Sequence, residues 1–573
     1  MQPPPVALLL ALTWFCAAVL GLYPCGAVSQ SAPRERDPMS LAIETELEKL
    51  AHADATSIQG APIALREPLQ KLYAQRNFRA AWSHAANAEQ LRRALADSYE
   101  DGLDPADYHL PLIEKLARQS NAEDSTPELR AQYDILLSEA LLRLSYHLSF
   151  GKVDPETFDS QWNYGRTLAS NDVAQKIERA LASAEVYRLV AALKPTHPLY
   201  VNLKRELARI RAATANGGPS PIPTGASVEP GGTDTRVPSI RKRLTVSGDL
   251  SVTDASDATE YDAPLVTAVR KFQQRMGLEA DGVLGPGTIA ELNVSPAARI
   301  QQLRVNLDRG RVLLRDLPDA FIVVNIAGFT VYFVRGERIV WNARVQVGKP
   351  YRRTPIFRSE ITQLVLNPTW TVPPGIIAGD ILPAAQRDPD AIVRKGLKVL
   401  DANGRAVDPH SIDWTQFKGG HLPYTLRQDP GPSNALGRAK LIFPNPYLVY
   451  LHDTPSQALF DRNERTFSSG CVRVERVLEL AELVLADPAH WNQTSIARAL
   501  ETGETRNLTL DKKIPVLLTY WTAWVDPQGQ INFRRDVYGQ DAKWAQALDA
   551  GFKLRSRPLF SPSDDRTETT TQR

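Results

Sequence analysis

The chain has 573 residues, 43% hydrophobic and 23% charged. This suffices for two to four domains with real cores and excludes a wholly disordered chain, a collagen or a coiled-coil rod. Its 67 Lys and Arg nearly balance its 65 Asp and Glu, for a formal net charge of +2, which excludes bulk electrostatic attraction to nucleic acid. Only one stretch is apolar enough to span a bilayer, so the chain is not a polytopic membrane protein.

That stretch comes first. Val6 to Leu22 is uncharged and apolar, and Ala27-Val28-Ser29 fits a small-x-small cleavage site. Residues 1–29 therefore read as an export signal, or as an uncut anchor in the inner membrane; both readings stand, because Met1-Gln-Pro-Pro-Pro5 lacks the usual Lys or Arg. Either way the rest of the chain is expected outside the cytoplasm. Cys16 and Cys25 fall in this segment, which leaves Cys471 as the one thiol of the remaining chain. A single thiol makes no intramolecular disulfide and no cysteine-based metal site. In an oxidising compartment it is either buried and inert or kept for its reactivity.

From Leu41 to Ala212 the pattern is helical. Leu136, Leu137, Ala140, Leu141 and Leu144 repeat on one helix face, and Leu203, Leu207 and Ile210 continue the style. Asp104-Pro105 and Asp154-Pro155 read as capped helix starts. The expectation is an all-α scaffold domain over residues 41–215. Asn216 to Pro238, rich in Gly, Pro, Ser and Thr, reads as an irregular connection without packing. A small helical module follows over 238–296. Val266, Val269, Phe272, Gln273 and Met276 mark its central helix, and Asp281-Gly282-Val283-Leu284-Gly285 a turn. Ala297 to Leu314 reads as a connecting helix.

From Ala320 the period changes to two. Strands are expected at 321–326, 330–334, 339–347, 361–366, 441–443, 447–451, 472–474, 515–525 and 530–533. Residues 319–556 thus read as a β-rich domain, and 557–573 as a disordered tail. Between about Pro373 and Pro432 lies a Pro-, Gly- and Asp-rich stretch with one helix near Asp388 to Lys395. A non-strand segment that long between strands reads as an inserted cap. The fold class is multidomain α+β.

The chemistry concentrates around Cys471. Ser469-Gly470 lets the backbone turn ahead of the thiol, so that the amides of Gly470 and Cys471 can hold an oxyanion. Cys471 and Arg473 share one strand face, where a guanidinium lowers the thiol pKa or binds a substrate carboxylate. His452, at the end of an expected strand, is the general base. Asp453 points to the opposite side, which leaves a backbone carbonyl to orient the imidazole. There is no His-x-x-x-His, no Cys-x-x-Cys and no phosphate loop, hence no metal and no cofactor.

The string His452…Ser469-Gly470-Cys471-Val472-Arg473 resembles the signature of YkuD-type L,D-transpeptidase catalytic domains, with the cysteine 19 positions after the histidine. It departs at Ser469, where the commonest form has His. Asn434-Ala-Leu-Gly437, Phe443-Pro-Asn445, Tyr450-Leu-His-Asp-Thr454 and Ser468-Ser-Gly-Cys471 are similar to the large periplasmic YcbB-like group of Gram-negative bacteria, in which Ser at that place is familiar. The resemblance implies a helical scaffold, a peptidoglycan-binding module carrying Ala268-Val269, Phe272-Gln273 and Asp281-Gly282, and a mobile cap. It implies Cys471 as nucleophile, His452 as general base and acid, and an oxyanion site at Gly470, Cys471 and Ser469. Arg473, Tyr450, Trp370 and Tyr424 are the candidate substrate-binding residues. The implied partners are donor and acceptor peptidoglycan stems, and the implied product joins the third residues of two stems. Covalent inhibition by carbapenems is expected. The rivals are an L,D-carboxypeptidase on the same fold and a non-catalytic wall-binding protein. A papain-like peptidase would place Cys before His, the reverse of the order here.

Overall fold

The structure, a computed structural model, describes residues 37–552 except 53–55, 166–167, 216, 252–257 and 420, together with 560–561. The signal or anchor segment, with Cys16 and Cys25, lies outside the described residues, and so does the tail at 557–573 except for Phe560–Ser561, a two-residue strand beside Leu168–Ala169.

Helices fill the first third. The helix Pro127–Phe150 begins at Thr126, whose side chain accepts from the amide of Leu129, with Pro at the first turn. It is buried nearly all round and forms the axis of a core built from residues 42–190. Its buried charged groups are paired: Arg143 with Glu139, and Asp134 with the Tyr73 hydroxyl and the amides of Ala81 and Trp82. The expected starts at Asp104 and Asp154 are capped as read, but each opens only a short 3₁₀ turn.

Residues 217–236 hold no helix, yet they are packed. Ile222 and Val228 are buried, Ile222 exchanges hydrogen bonds with the Asn293 side chain, and Val228 O accepts from Leu284 N. The reading of an unpacked linker is corrected here: Gly and Pro set an irregular path, while its two aliphatic side chains bury it. The module's helices are Val237–Val246, Ala263–Met276 and Pro286–Leu292. Gln273 is buried and ties the turn together, accepting from Gly282 N and donating to Asp281 and Val283. The long helix Pro296–Leu313 then crosses between the scaffold and the β-domain.

The β-domain strands are β1 (Ala320–Asn325), β2 (Thr330–Arg335), β3 (Arg338–Gly348), β4 (Phe357–Leu366), β5 (Ala439–Ile442), β6 (Leu451–His452), β7 (Thr466–Ser468), β8 (Val472–Val474) and β9 (Arg506–Thr519). The sheet order is β7-β3-β8-β6-β5-β4-β9-β1-β2, and β2 also pairs with β3, so eight strands close on themselves with β7 added at β3. The expected strand at 447–451 shrinks to Leu451–His452, because Leu448 takes a left-handed φ of +57° and turns the chain. The expected strand at 515–525 belongs to β9 up to Thr519 and then breaks; Ala523–Val525 and Ile531–Phe533 form a separate hairpin.

The cap is more ordered than expected. Ala406–Val407, Lys398–Leu400, Thr425–Gln428 and Trp370–Thr371 make an antiparallel four-stranded sheet of its own. Val372, Ile377, Ile381, Leu382, Ile392, Val399, Trp414 and Leu426 form its separate core. Its strands are two to four residues long, too short for alternation to show in the sequence.

Candidate active site

Strand register builds the site. His452 stands opposite Lys440 across the antiparallel β5–β6 pair and beside Arg473 across the parallel β6–β8 pair. Arg473 in turn faces Gln346 on β3. Side chains alternate along strands, so Lys440, His452, Arg473 and Gln346 form one polar row across four adjacent strands. Arg473 Nη1 donates to Gln346 Oε1 at 3.1 Å. Tyr450 and Cys471, each two residues before a member of this row, continue it toward the cap.

The cysteine loop is held from several directions. Ser468 Oγ donates to the Cys471 carbonyl at 2.5 Å and accepts from Gly470 N at 3.1 Å. Thr354 Oγ1 donates to the Gly470 carbonyl at 2.8 Å. Gly470 sits at φ +120°, where L side chains are rarely found, and so explains the glycine. Ser469 Oγ accepts from Arg352 Nη1 at 3.0 Å, and the same nitrogen is ion-paired with Asp380 of the cap.

These contacts bear on the expected oxyanion residues Gly470, Cys471 and Ser469. Gly470 N–H is spent on Ser468 Oγ, because the turn needs that bond to hold its shape. The Ser469 hydroxyl oxygen is engaged by Arg352. The Cys471 amide has no acceptor within the described residues.

The half-buried Cys471 thiol donates to Leu448 O at 3.7 Å and lies within hydrogen-bonding reach of Tyr450. Burial pushes its pKa up; the contacts with Tyr450 and the charges of Lys440 and Arg473 oppose this without reversing it. The expected activation by Arg473 is therefore present but outweighed by desolvation. His452 is 4% exposed. Burial first, then Arg473 and Lys440, bring its pKa down to about 3, against weaker support from the Asp453 carbonyl. Its Nδ1 shares a hydrogen with the Asp453 backbone oxygen, which can only accept. The Leu436 backbone is a second hydrogen-bond partner of the ring and likewise favours its charged form. The thiol and the imidazole are thus both neutral at rest.

Among the other sequence candidates, the Tyr450 ring packs edge-on to His452, 5.5 Å between centroids, with Lys440 Nζ 3.9 Å from its own centroid. Trp370, on the cap, reaches the Tyr450 hydroxyl. Tyr424 does not join them: it packs on the cap core with its ring against Phe417. Sequence reasoning passed over Lys440, Arg352, Asp380, Gln346 and Ser468. For Lys440 the missing signal is the β5–β6 register, which no local pattern announces. Among the described residues no group of His, Cys, Asp and Glu could hold a metal ion, and no helix is long and apolar enough to cross a membrane.

Comparison with known families agrees with this layout. Residues 319–503 match the L,D-transpeptidase catalytic domain (YkuD), residues 67–207 a scaffold domain, and residues 233–292 a "Putative peptidoglycan binding domain". The three matches thus fall on the helical scaffold, the small helical module and the β-domain in turn. A curated relative, the "Putative L,D-transpeptidase" of Haemophilus influenzae, is 38% identical over 243 residues. That match spans 42% of this chain and about half, 48%, of the relative. An L,D-transpeptidase structure from Xylanimonas cellulosilytica covers 52% of this chain and 99% of its own at 16% identity and a TM-score of 0.18. One from Stackebrandtia nassauensis covers 52% and 96% at 13% identity and a TM-score of 0.20.

Proposed function

We propose that the protein is a periplasmic peptidoglycan L,D-transpeptidase with Cys471 as nucleophile. The reading is supported by the polar row, in which His452 on β6 pairs in register with Arg473 on β8, two residues from the Cys471 thiol. The thiol turns from Leu448 O toward the His452 imidazole and attacks the carbonyl between meso-diaminopimelate and D-alanine of a tetrapeptide stem. The S–H proton passes to the imidazole as the S–C bond forms. The Cys471 amide, which has no internal acceptor, donates to the developing oxyanion. An imidazolium at this position is a strong acid, since burial and two neighbouring cations disfavour it. It returns its proton to the leaving amine of D-alanine as the C–N bond breaks. The thioester is then taken by the side-chain amine of diaminopimelate on a second stem, regenerating the thiol and joining third residues. The cap shields the thioester from water, so that the amine competes. The peptidoglycan-binding module supports a cell-wall substrate, and the apolar segment at residues 6–22 supports export.

The test is mass spectrometry of the purified chain with disaccharide-tetrapeptides, wild type beside Cys471→Ala. Cross-linked dimers lacking one D-alanine, absent with the mutant, are expected. Tripeptide monomers alone would assign an L,D-carboxypeptidase instead, and unchanged substrate would assign wall binding without catalysis.

A further inference from the structure

Beyond the field of its charge Lys440 has no binding role in the reaction described so far, yet it stands in the row with the reacting groups. It is paired in register with His452, and its ammonium rests over the Tyr450 ring at 3.9 Å. It is half-buried, and its charge is coupled to the Cys471 sulfur. Arg473, on the other side of His452, is coupled to the same sulfur. Arg473 spends one nitrogen on the neutral Gln346, and its Nε is buried with no acceptor. Among the described residues neither cation is ion-paired with a carboxylate, although most buried arginines of this chain are, as Arg143, Arg275 and Arg311 show. Two desolvated cations with no counter-charge, flanking a nucleophile, are an incomplete ion-pair set. An unpaired Nε is common among the arginines of this chain, Arg311 included; what sets Arg473 and Lys440 apart is that neither has a carboxylate partner among the described residues.

We propose that Lys440, together with Arg473, forms a carboxylate-binding subsite beside Cys471 that holds a free carboxylate of the donor stem. The proposal rests on the transpeptidase reading for the identity of the stem but not for the subsite itself. Two carboxylates of a tetrapeptide stem lie near the scissile bond: that of the terminal D-alanine and that of the second centre of diaminopimelate. Either would be drawn to the two cations, and it would orient the scissile carbonyl over the thiol. Lys440 is then a substrate-binding residue that selects stems carrying that carboxylate as a free acid.

The subsite can be tested without turnover. Iodoacetate and iodoacetamide alkylate a thiolate by the same displacement of iodide and differ in the charge of the group delivered. Their rate ratio at Cys471, read by peptide mass spectrometry on the full chain, cancels any change in thiol pKa. The wild-type ratio is expected to exceed that of a free cysteine peptide by about tenfold, and to fall toward it as salt rises. Lys440→Met is expected to remove most of that excess, and Lys440→Arg to keep it. A wild-type ratio no higher than the peptide's overturns the proposal even if Lys440→Met fails to fold, and so does an unchanged ratio in folded Lys440→Met. Tetrapeptide stems amidated either at the terminal carboxylate or at the diaminopimelate carboxylate then separate the sources. The true source is the one whose amidation lowers kcat/KM about tenfold in wild type and little in Lys440→Met; if neither does, stem recognition by Lys440 is wrong. If wild type turns over no stem at all, the transpeptidase reading fails, while the alkylation ratio still decides the subsite.

Discussion

Cys471 and His452 are held neutral by the same cause, removal from water, which raises the thiol and lowers the imidazole. A thiolate–imidazolium pair would alkylate at a rate nearly flat across neutral pH. For the neutral pair the iodoacetamide rate at Cys471 is expected to climb about tenfold per unit from pH 7 to 9, following the thiolate fraction. A plateau over that range would show an ion pair. The histidine also has a stability consequence. Its folded value of about 3 lies below the ordinary 6.5, so the unfolded chain binds the proton more tightly. The contribution is complete above pH 6.5 and is lost as pH falls toward 3. His452→Ala should lower the acylation rate about 10²- to 10⁴-fold, read by intact mass of the acyl-enzyme, while the circular dichroism spectrum stays that of wild type. A near-normal rate would move the base elsewhere.

At the scale of elements, two short stretches decide whether the site works. Gly437 lies at φ +60°, and a Cβ there would meet the Asp453 side chain at 2.5 Å. That side chain accepts from Arg438 N and follows His452 directly. Gly437→Ala is expected to lower stability by about 1–3 kcal/mol in a urea titration and to depress acylation through a displaced His452; unchanged values in both would show a loop that adapts freely. The second stretch is the cap. Arg352 joins Asp380 of the cap to Ser469 of the cysteine loop. Asp380→Asn should weaken that tie, speed amide exchange over 374–394, and raise the share of thioester lost to water rather than to amine. Unchanged exchange and product ratio would remove the tie from the mechanism. The cap was readable as an insertion, and Gly437 as part of a quoted string, but the contacts each makes were not. The long strands of the β-domain were, because β1 to β4 bury alternate or continuous aliphatic side chains, and the cysteine loop was, because its residue types are contiguous. The cap sheet, the Lys440 register and the Arg352–Asp380 tie join residues that are distant in sequence, and no local pattern encodes them.

For the whole molecule, domain boundaries in sequence are not boundaries in packing. One apolar cluster runs from Val153 through the peptidoglycan-binding module into the β-domain, while residues 42–190 of the scaffold keep a cluster of their own. Tyr164 of the scaffold lies within hydrogen-bond distance of the carbonyls of Phe357 on β4 and Leu518 on β9. Arg275 of the module is ion-paired with Asp249 and donates to Ile531 O in the C-terminal hairpin. The junction turns on Asp308 of the long helix 296–313. Fully buried, it accepts from Lys152 N at 2.8 Å, Val153 N at 3.2 Å and Trp544 Nε1 at 3.0 Å, and pairs with the equally buried Arg311 at 2.8 Å. Arg311 also donates to the Asp101 carbonyl of the scaffold. Asp308→Ala would strand a buried guanidinium and three N–H donors at the point where scaffold, long helix and C-terminal helix meet. A loss of about 3–5 kcal/mol is expected. Because the lost contacts lie between domains, the loss should also split a shared denaturation transition, the scaffold cluster melting apart from the β-domain in calorimetry. A single transition displaced by less than about 1 kcal/mol would mean that the apolar cluster alone holds the domains together.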